Sequence, residues 1–215
     1  MKILVLILTH NDQLYNFFDK IKERYLSSKN IDFKFIYNGL DNTLHDPKNN
    51  RLNYYTDEGP IPAMLKKFVN YIETCEGYDF IIRMNSSTFI NIDKVISQIK
   101  DLSEDVYMGF FEKDWNFCSG ALTVFSKSVV QKIVENKDKL DYNIEDDLSI
   151  GRLLQRLGIK KTYLDRYNIS ERKNLPSTTE IKEALTYSQI RIRNDYNRDL
   201  IDKGIWCLIE QELTL

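Results

Sequence analysis

Within residues 2–8 the chain carries "ILVLIL", an unbroken apolar run of strand length. A run with no polar alternation fits a strand buried on both faces, as in the middle of a parallel sheet. After the polar "THND", apolar residues recur at Leu14, Phe17, Phe18, Ile21 and Tyr25. That spacing predicts an amphipathic helix. "DFKFIYN" predicts a second strand, residues 39–51 a polar loop, and "RLNYY" a short third strand. Pro60 and Pro62 suit a helix start, where a missing N–H costs little. Met64, Phe68, Tyr71, Ile72 and Cys75 give that helix one apolar stripe.

The strand "DFIIR" comes next, and a helix opens near Asn91 with Ile92, Val95, Ile96 and Ile99. Between them, "NSSTFIN" taken alone reads as a turn that caps the helix. "VYMGFF" predicts a strand, and "FCSGALTVFSKSVVQKI" a loop, a strand and a helix that Ser126 can cap. "NIEDDLSIGRLLQRLGI" predicts a helix with Ile150, Leu153, Leu154 and Leu157 on one side and Gly158 as its stop. "KTYLDRY" predicts one late strand, and the tail an extended segment followed by an amphipathic helix.

Strand–helix alternation with connections of helix length implies an α/β fold: a mostly parallel central sheet flanked by helices. No repeat or Pro/Gly linker divides the chain, so one domain over residues 1–215 is expected. Ligands of such sheets sit at the carboxyl ends of the strands. The loops after Leu8, Tyr37, Met84 and Phe111 are therefore the candidate site.

Composition narrows the class. The 215 residues are 42% hydrophobic and 29% charged with net charge −2, which argues against a nucleic-acid-coating surface. No apolar run nears the roughly 20 residues that span a bilayer. "ILVLIL" is too short for a signal segment, so a cytoplasmic location is expected. The three cysteines, Cys75, Cys118 and Cys207, form no CxxC pair and signal neither zinc nor a disulfide framework. GxGxxG, GxxxxGK[ST] and GxSxG are all absent. With only His10 and His45, His-based zinc chemistry is nearly excluded.

Four stretches together carry a resemblance: "YDFIIRMNSSTFINIDKV", "FCSGALTVFSKSVV", "DDLSIGRLLQRLGI" and "IRIRNDYNRD". The first three resemble, in order and rough spacing, the fringe and β-1,3-galactosyltransferase-like glycosyltransferases. All four look like small glycosyltransferases of some large DNA viruses and bacteria. The resemblance covers roughly residues 60–210. It implies a single GT-A (Rossmann-like) domain. The nucleotide-binding part would fall at about 1–90 and the acceptor and catalytic part at about 91–215. The implied partners are a nucleotide sugar, UDP- or GDP-linked, and a carbohydrate acceptor.

The chief departure lies in the first stretch. The family has an acidic triplet where this chain has Asn85, Ser86 and Ser87. Carboxylates bind the divalent cation that neutralises a donor diphosphate. Asn and Ser keep hydrogen-bonding capacity without charge and suit a ribose or sugar hydroxyl. Mn2+ or Mg2+ is possible but not supported by this Asn-Ser-Ser run, and no metal ligand is expected. Arginine can balance the leaving diphosphate instead. Arg191 and Arg193 alternate on a predicted strand and share a face, with Arg83, Lys66 and Arg198 as further basic groups. A solvated basic edge is the plainer reading. The loss of the triplet also leaves room for a retaining mechanism.

The resemblance makes Asp147 the base that takes the acceptor hydroxyl's proton in an inverting transfer, with Asp146 beside it. Acids in a first helical turn also favour the macrodipole with no catalysis. Thr9 and Asn11 suit the nucleotide end. Ser119 and Gly120 would allow close backbone approach to the donor sugar. Trp115 suits stacking on an acceptor ring, or plugs the sheet end. Asp57 and Glu58 are placed toward the nucleobase or ribose. Asn85-Ser86-Ser87 and Asn168-Ile169-Ser170 are also glycosylation sequons, discounted without a secretory signal. Other classes stay open: an inactive module that binds nucleotide or glycan, and, more weakly, a sugar nucleotidyltransferase, whose Gly-rich loop "LTHNDQLYN" lacks.

Overall fold

The computed structural model describes residues 1–38, 50–54, 59–102 and 105–214, without the side chains of Asn38, Asn53 and Pro60. The first strand, β1 (Ile3–Leu8), is buried along its whole length. Helix α1 (Gln13–Ser28) follows, capped by Asp12, whose carboxylate accepts from the Tyr15 N–H at 2.9 Å. Then come β2 (Asp32–Asn38), β3 (Arg51–Tyr54) and α2 (Pro60–Ile72), which does open on Pro60. The strand β4 (Phe80–Asn85) runs two residues past the expected end, to Asn85.

The remainder runs through β5 (Thr88–Ile90), α3 (Ile92–Ile99), β6 (Tyr107–Gly109), β7 (Leu122–Ser126) and α4 (Lys127–Glu135). After a short 3-10 turn come α5 (Asp146–Arg156), β8 (Lys161–Tyr163), β9 (Arg166–Ile169), α6 (Thr178–Ala184), β10 (Gln189–Ile192) and α7 (Arg198–Glu212). Gly158 ends the α5 segment with φ +75°, a left-handed value that costs glycine little. Among the described residues, no helix is long and apolar enough to cross a membrane.

The main sheet has seven strands in the order β3-β2-β1-β4-β7-β6-β8. All adjacent pairs are parallel except those that β7 makes with β4 and β6. Alternation along β1 explains its apolar run. Ile3, Val5 and Ile7 face a core built with α1, α3, α6 and α7. Leu4, Leu6 and Leu8 face a second core with α2, α4 and α5. A three-layer α/β sandwich results. Each fully buried aliphatic side chain adds roughly 1.5–3 kcal/mol.

Three expectations need correction. "KTYLDRY" is two strands, β8 on the main sheet and β9 in a small sheet of order β5-β10-β9. Ser126 precedes α4, but its hydroxyl accepts from Val106 N–H at 3.0 Å and does not cap the helix. "NSSTFIN" is more than a turn and cap: Asn91 caps α3, yet Thr88–Ile90 also pairs antiparallel with β10. That pairing brings Arg191 opposite Thr88 and so beside the Asn85–Ser87 loop.

Candidate functional site

The chain leaves β1 for β2 and β3 on one side, then returns to β4 on the other. Connections diverge at the carboxyl ends of β1 and β4, which opens a crevice there. A cleft of about 200 Å³ lies at that place. Leu8, His10, Asn85, Ser87, Arg191 and Arg193 are among its lining residues. Tyr15 of α1 and Met64 of α2 complete its walls.

Asn85 and Ser87 thus face the cleft, and Asn85 Oδ1 is buried with no hydrogen-bond partner. Ser86 between them also lines the cleft, but its hydroxyl turns inward. Its hydroxyl donates to Asp19 Oδ1 at 2.6 Å, and its carbonyl accepts from the buried Lys22 ammonium. Thr9, expected at the donor, is also inward: its hydroxyl donates to Asp19 Oδ2 at 2.8 Å and the residue is fully buried. Ser86 and Thr9 hold the loop from behind. Asn11 is exposed and accepts from Asn16 at 3.3 Å.

Arginines gather around this loop. Arg191 is half-buried, with one long hydrogen bond to Thr88 at 3.4 Å, and Arg193 is exposed on the cleft wall. Burial, then the like charges of Arg193, Arg166 and Arg83, pull the Arg191 guanidinium down to about 10. Arg166 was not foreseen. It donates to the Ser119 hydroxyl at 3.1 Å, lies 3.6 Å over the Phe110 ring, and leaves Nε without a partner. Arg83 is 2% exposed; it donates to Asp146 and leaves Nε and Nη1 unpartnered.

The two candidate acids have separate surroundings. Asp146 turns into the fold onto Arg83. Burial raises its pKa, with Arg83 opposing. Asp147 is half-buried and accepts from Gly120 N–H and Leu148 N–H, each at 2.8 Å. Those donors fix its orientation, and each carboxylate oxygen keeps a further acceptor site. Asn85 N–H donates to Ala121 O at 3.0 Å, so the 119–121 segment joins Asp147 to the cleft loop. A Cβ on Gly120 would lie 2.3 Å from Arg83 Nη1, so the space beside that glycine belongs to the guanidinium. A Cβ on Gly151 would lie 2.2 Å from Phe117 Cβ, so that glycine lets the 112–119 loop pack on α5.

Lys67 also escaped sequence reading. It is 1% exposed, with Nζ 3.5 Å from the carbonyls of Thr9 and Ile36. Burial, then the charge of Lys67, lowers the pKa of His10, with Asp12 opposing. A buried lysine inside an apolar helix stripe gives no period signal, whereas His10 and Tyr15 did lie near the strand end already singled out. Lys66 is partnered, and Arg198 ties Tyr15 (3.2 Å) to Asp202 (2.9 Å). Trp115 stacks on Phe117, centroids 5.1 Å apart and rings within 5° of parallel. Asp57 and Glu58 lie outside the described residues.

A divalent cation fits this cleft poorly. The side chains of the Asn85–Ser87 loop are neutral, the Ser86 hydroxyl is engaged elsewhere, and Arg191 and Arg193 repel a cation. Among the described residues, no group of three His, Cys, Asp or Glu is placed to hold a metal.

No protein-family model matches the chain, and no curated protein matches its sequence. Its fold does match solved structures. One is a glycosyltransferase involved in glycosylation of the major capsid of PBCV-1, at 11% identity and TM-score 0.56. The match covers 94% of this chain and 98% of that one. Another is an active-site mutant of LgtC, at 10% identity and TM-score 0.50, covering 99% and 96%. The chain has the GT-A fold of these enzymes.

Proposed function

We propose that the chain transfers a glycosyl group from a nucleoside diphosphate sugar to a carbohydrate acceptor. The observation that carries this reading is the pair of arginines that line the switch-point cleft, Arg191 and Arg193, beside the unpartnered Asn85 Oδ1 and one loop away from a fixed carboxylate. An oxyanion ligand would form charge-assisted hydrogen bonds with those guanidinia. The diphosphate is assigned to Arg191 and Arg193 with Arg83 and Arg166 behind them, and the nucleotide to the first 90 or so residues. The fold likeness to two glycosyltransferases supports the same class.

Asp147 is the base. As the acceptor oxygen attacks the anomeric carbon, Asp147 takes its proton. The bond from the anomeric carbon to the β-phosphate oxygen breaks, and the nucleoside diphosphate leaves with that electron pair. Attack opposite the leaving group inverts the centre. Asp146 positions Arg83 through its ion pair. The guanidinia meet the charge that develops on the leaving group, so the step needs no divalent cation. Trp115 is assigned to the acceptor.

The test is thermal stabilisation by UDP, GDP and their hexose conjugates, followed by turnover with and without EDTA. Stabilisation with sugar release or transfer, unchanged by EDTA, is expected. Stabilisation with no release from any donor would make the chain a binding module. Loss in EDTA with recovery in Mn2+ would overturn the arginine assignment.

A further inference from the structure

A second cleft, of about 440 Å³, opens on the other side of the 112–119 loop, against α5. Trp115, Asn116, Gly151, Gln155 and Lys160 form much of its lining. Gly151 stands one helical turn after Asp147 on α5, so the cleft lies about one turn along the helix from that carboxylate. It falls within the roughly 300–1,000 Å³ of small-molecule sites.

Its walls are prepared for one kind of ligand. The Trp115 indole is held flat: Phe117 stacks on it, its carbonyl accepts from the Lys161 ammonium, and its N–H donates to Glu112 O at 3.0 Å. Asn116 Nδ2 donates to Gln155 Oε1 at 3.2 Å, and both residues are exposed. Whichever way this amide pair is turned, one amide keeps a free carbonyl and the other keeps free N–H donors. A donor and an acceptor side by side match two neighbouring hydroxyls. A rigid aromatic face matches the C–H face of a pyranose. Of the charged residues in the lining, Lys161 is held by the Trp115 carbonyl and the Phe111 ring, which leaves Asp114 and Lys160, one charge of each sign, for a ligand without net charge.

We propose that this cleft binds a neutral oligosaccharide, with Trp115 stacking on one ring and Asn116 and Gln155 reading its hydroxyls. That the saccharide is the acceptor rests on the transfer reading above; that a saccharide binds here does not.

Tryptophan fluorescence reads the site, because Trp206 is fully buried and Trp115 is half-exposed. The probes are lactose, cellobiose, maltose and the trisaccharides cellotriose and maltotriose, added with no nucleotide present. A saturable emission shift with at least one probe is expected, together with saturation transfer to the sugar protons by NMR. The double variant Asn116→Ala/Gln155→Ala, both surface positions, should keep its circular dichroism and bind about tenfold more weakly, the scale of two lost hydrogen bonds. No saturable response to any of the five probes overturns the proposal, as does an unchanged affinity in the folded variant. If the saccharides bind and no nucleotide sugar does, the cleft stands and the transfer reading fails.

Discussion

The Asn85–Ser87 loop has a polar cluster behind it and another in front, and the two are completed differently. Behind it, the buried Asp19 carboxylate accepts from Thr9, Ser86 and Tyr37, and Lys22 donates to the Ser86 carbonyl while lying 4.2 Å over the Trp206 ring. No side-chain oxygen or nitrogen of Thr9, Asp19, Lys22, Tyr37 or Ser86 lacks a partner. In front, Asn85, Arg83 and Arg166 all keep buried polar atoms with none. Both clusters are charged and secluded, so burial alone does not separate them. Completion does: around Asp19 every side-chain oxygen and nitrogen is partnered and only the adjoining Trp206 indole N–H is not, while in front several arginine nitrogens and Asn85 Oδ1 are left over, which suits the proposed ligand. Ser86 bonds to the scaffold, and the neighbouring guanidinia face the cleft.

The contrast breaks most visibly at Asp147. Asp147→Asn keeps an acceptor for only one of the Gly120 and Leu148 N–H groups and removes the proton acceptor. Transfer should fall about 10²–10⁴-fold while the protein stays folded, with at most a small drop in thermal midpoint. Full activity in the folded variant would remove Asp147 from the mechanism. In the rear cluster the expected loss is of folding. Asp19→Ala removes the shared acceptor of Thr9, Ser86 and Tyr37 and the charge partner of Lys22, and should cost about 3–5 kcal/mol in urea unfolding. A loss below about 1 kcal/mol would mean that the cluster is relaxed or wet, and the closed-versus-open distinction would fail.

Arg191→Gln tests the front cluster in the opposite way. Removing one of several like charges relieves repulsion, so the ligand-free protein should be no less stable. Nucleoside diphosphate binding, read by calorimetry, should weaken about 10–100-fold, the scale of charge-assisted hydrogen bonds. Stability lost with binding unchanged would make Arg191 part of the scaffold.

Periodicity made the sheet and most helices readable, because strands buried on both faces and one-sided helices imprint directly on the apolar pattern. Strand order was less accessible. Nothing within "KTYLDRY" marks where the chain changes sheets, and β5 carries only three residues of signal, so the small sheet went unseen. The same pairing places Arg191 at the cleft, a residue whose chemistry was expected and whose location depends on long-range register. Ser86 and Thr9 drew attention for the right neighbourhood, but hydroxyl direction follows from Asp19, ten residues beyond Thr9 on another element. Arg166 and Lys67 gave no local cue, since their meaning comes only from what the fold packs around them.

Lys67 gives the finest test of the open cluster. Burial, then the nearby Arg83 charge, lowers its pKa to about 7, with Asp146 opposing. In the unfolded chain it titrates near ~10.4. Between those values the unfolded state binds more protons, so stability rises with pH across the window. Below about pH 7 both states are protonated and the folded state bears the full penalty. Lys22, also lowered to about 7 by burial against the pull of Asp19, slopes the same way. Lys67→Met should therefore raise stability at low pH and flatten the rise without abolishing it. Urea unfolding at about pH 6, 7.5 and 9 measures this, and identical slopes in the two proteins would contradict it. Saturating UDP sharpens the comparison further. An anion in the cleft favours the charged lysine, so it should shift the rise to higher pH in the parent protein and have less effect in Lys67→Met.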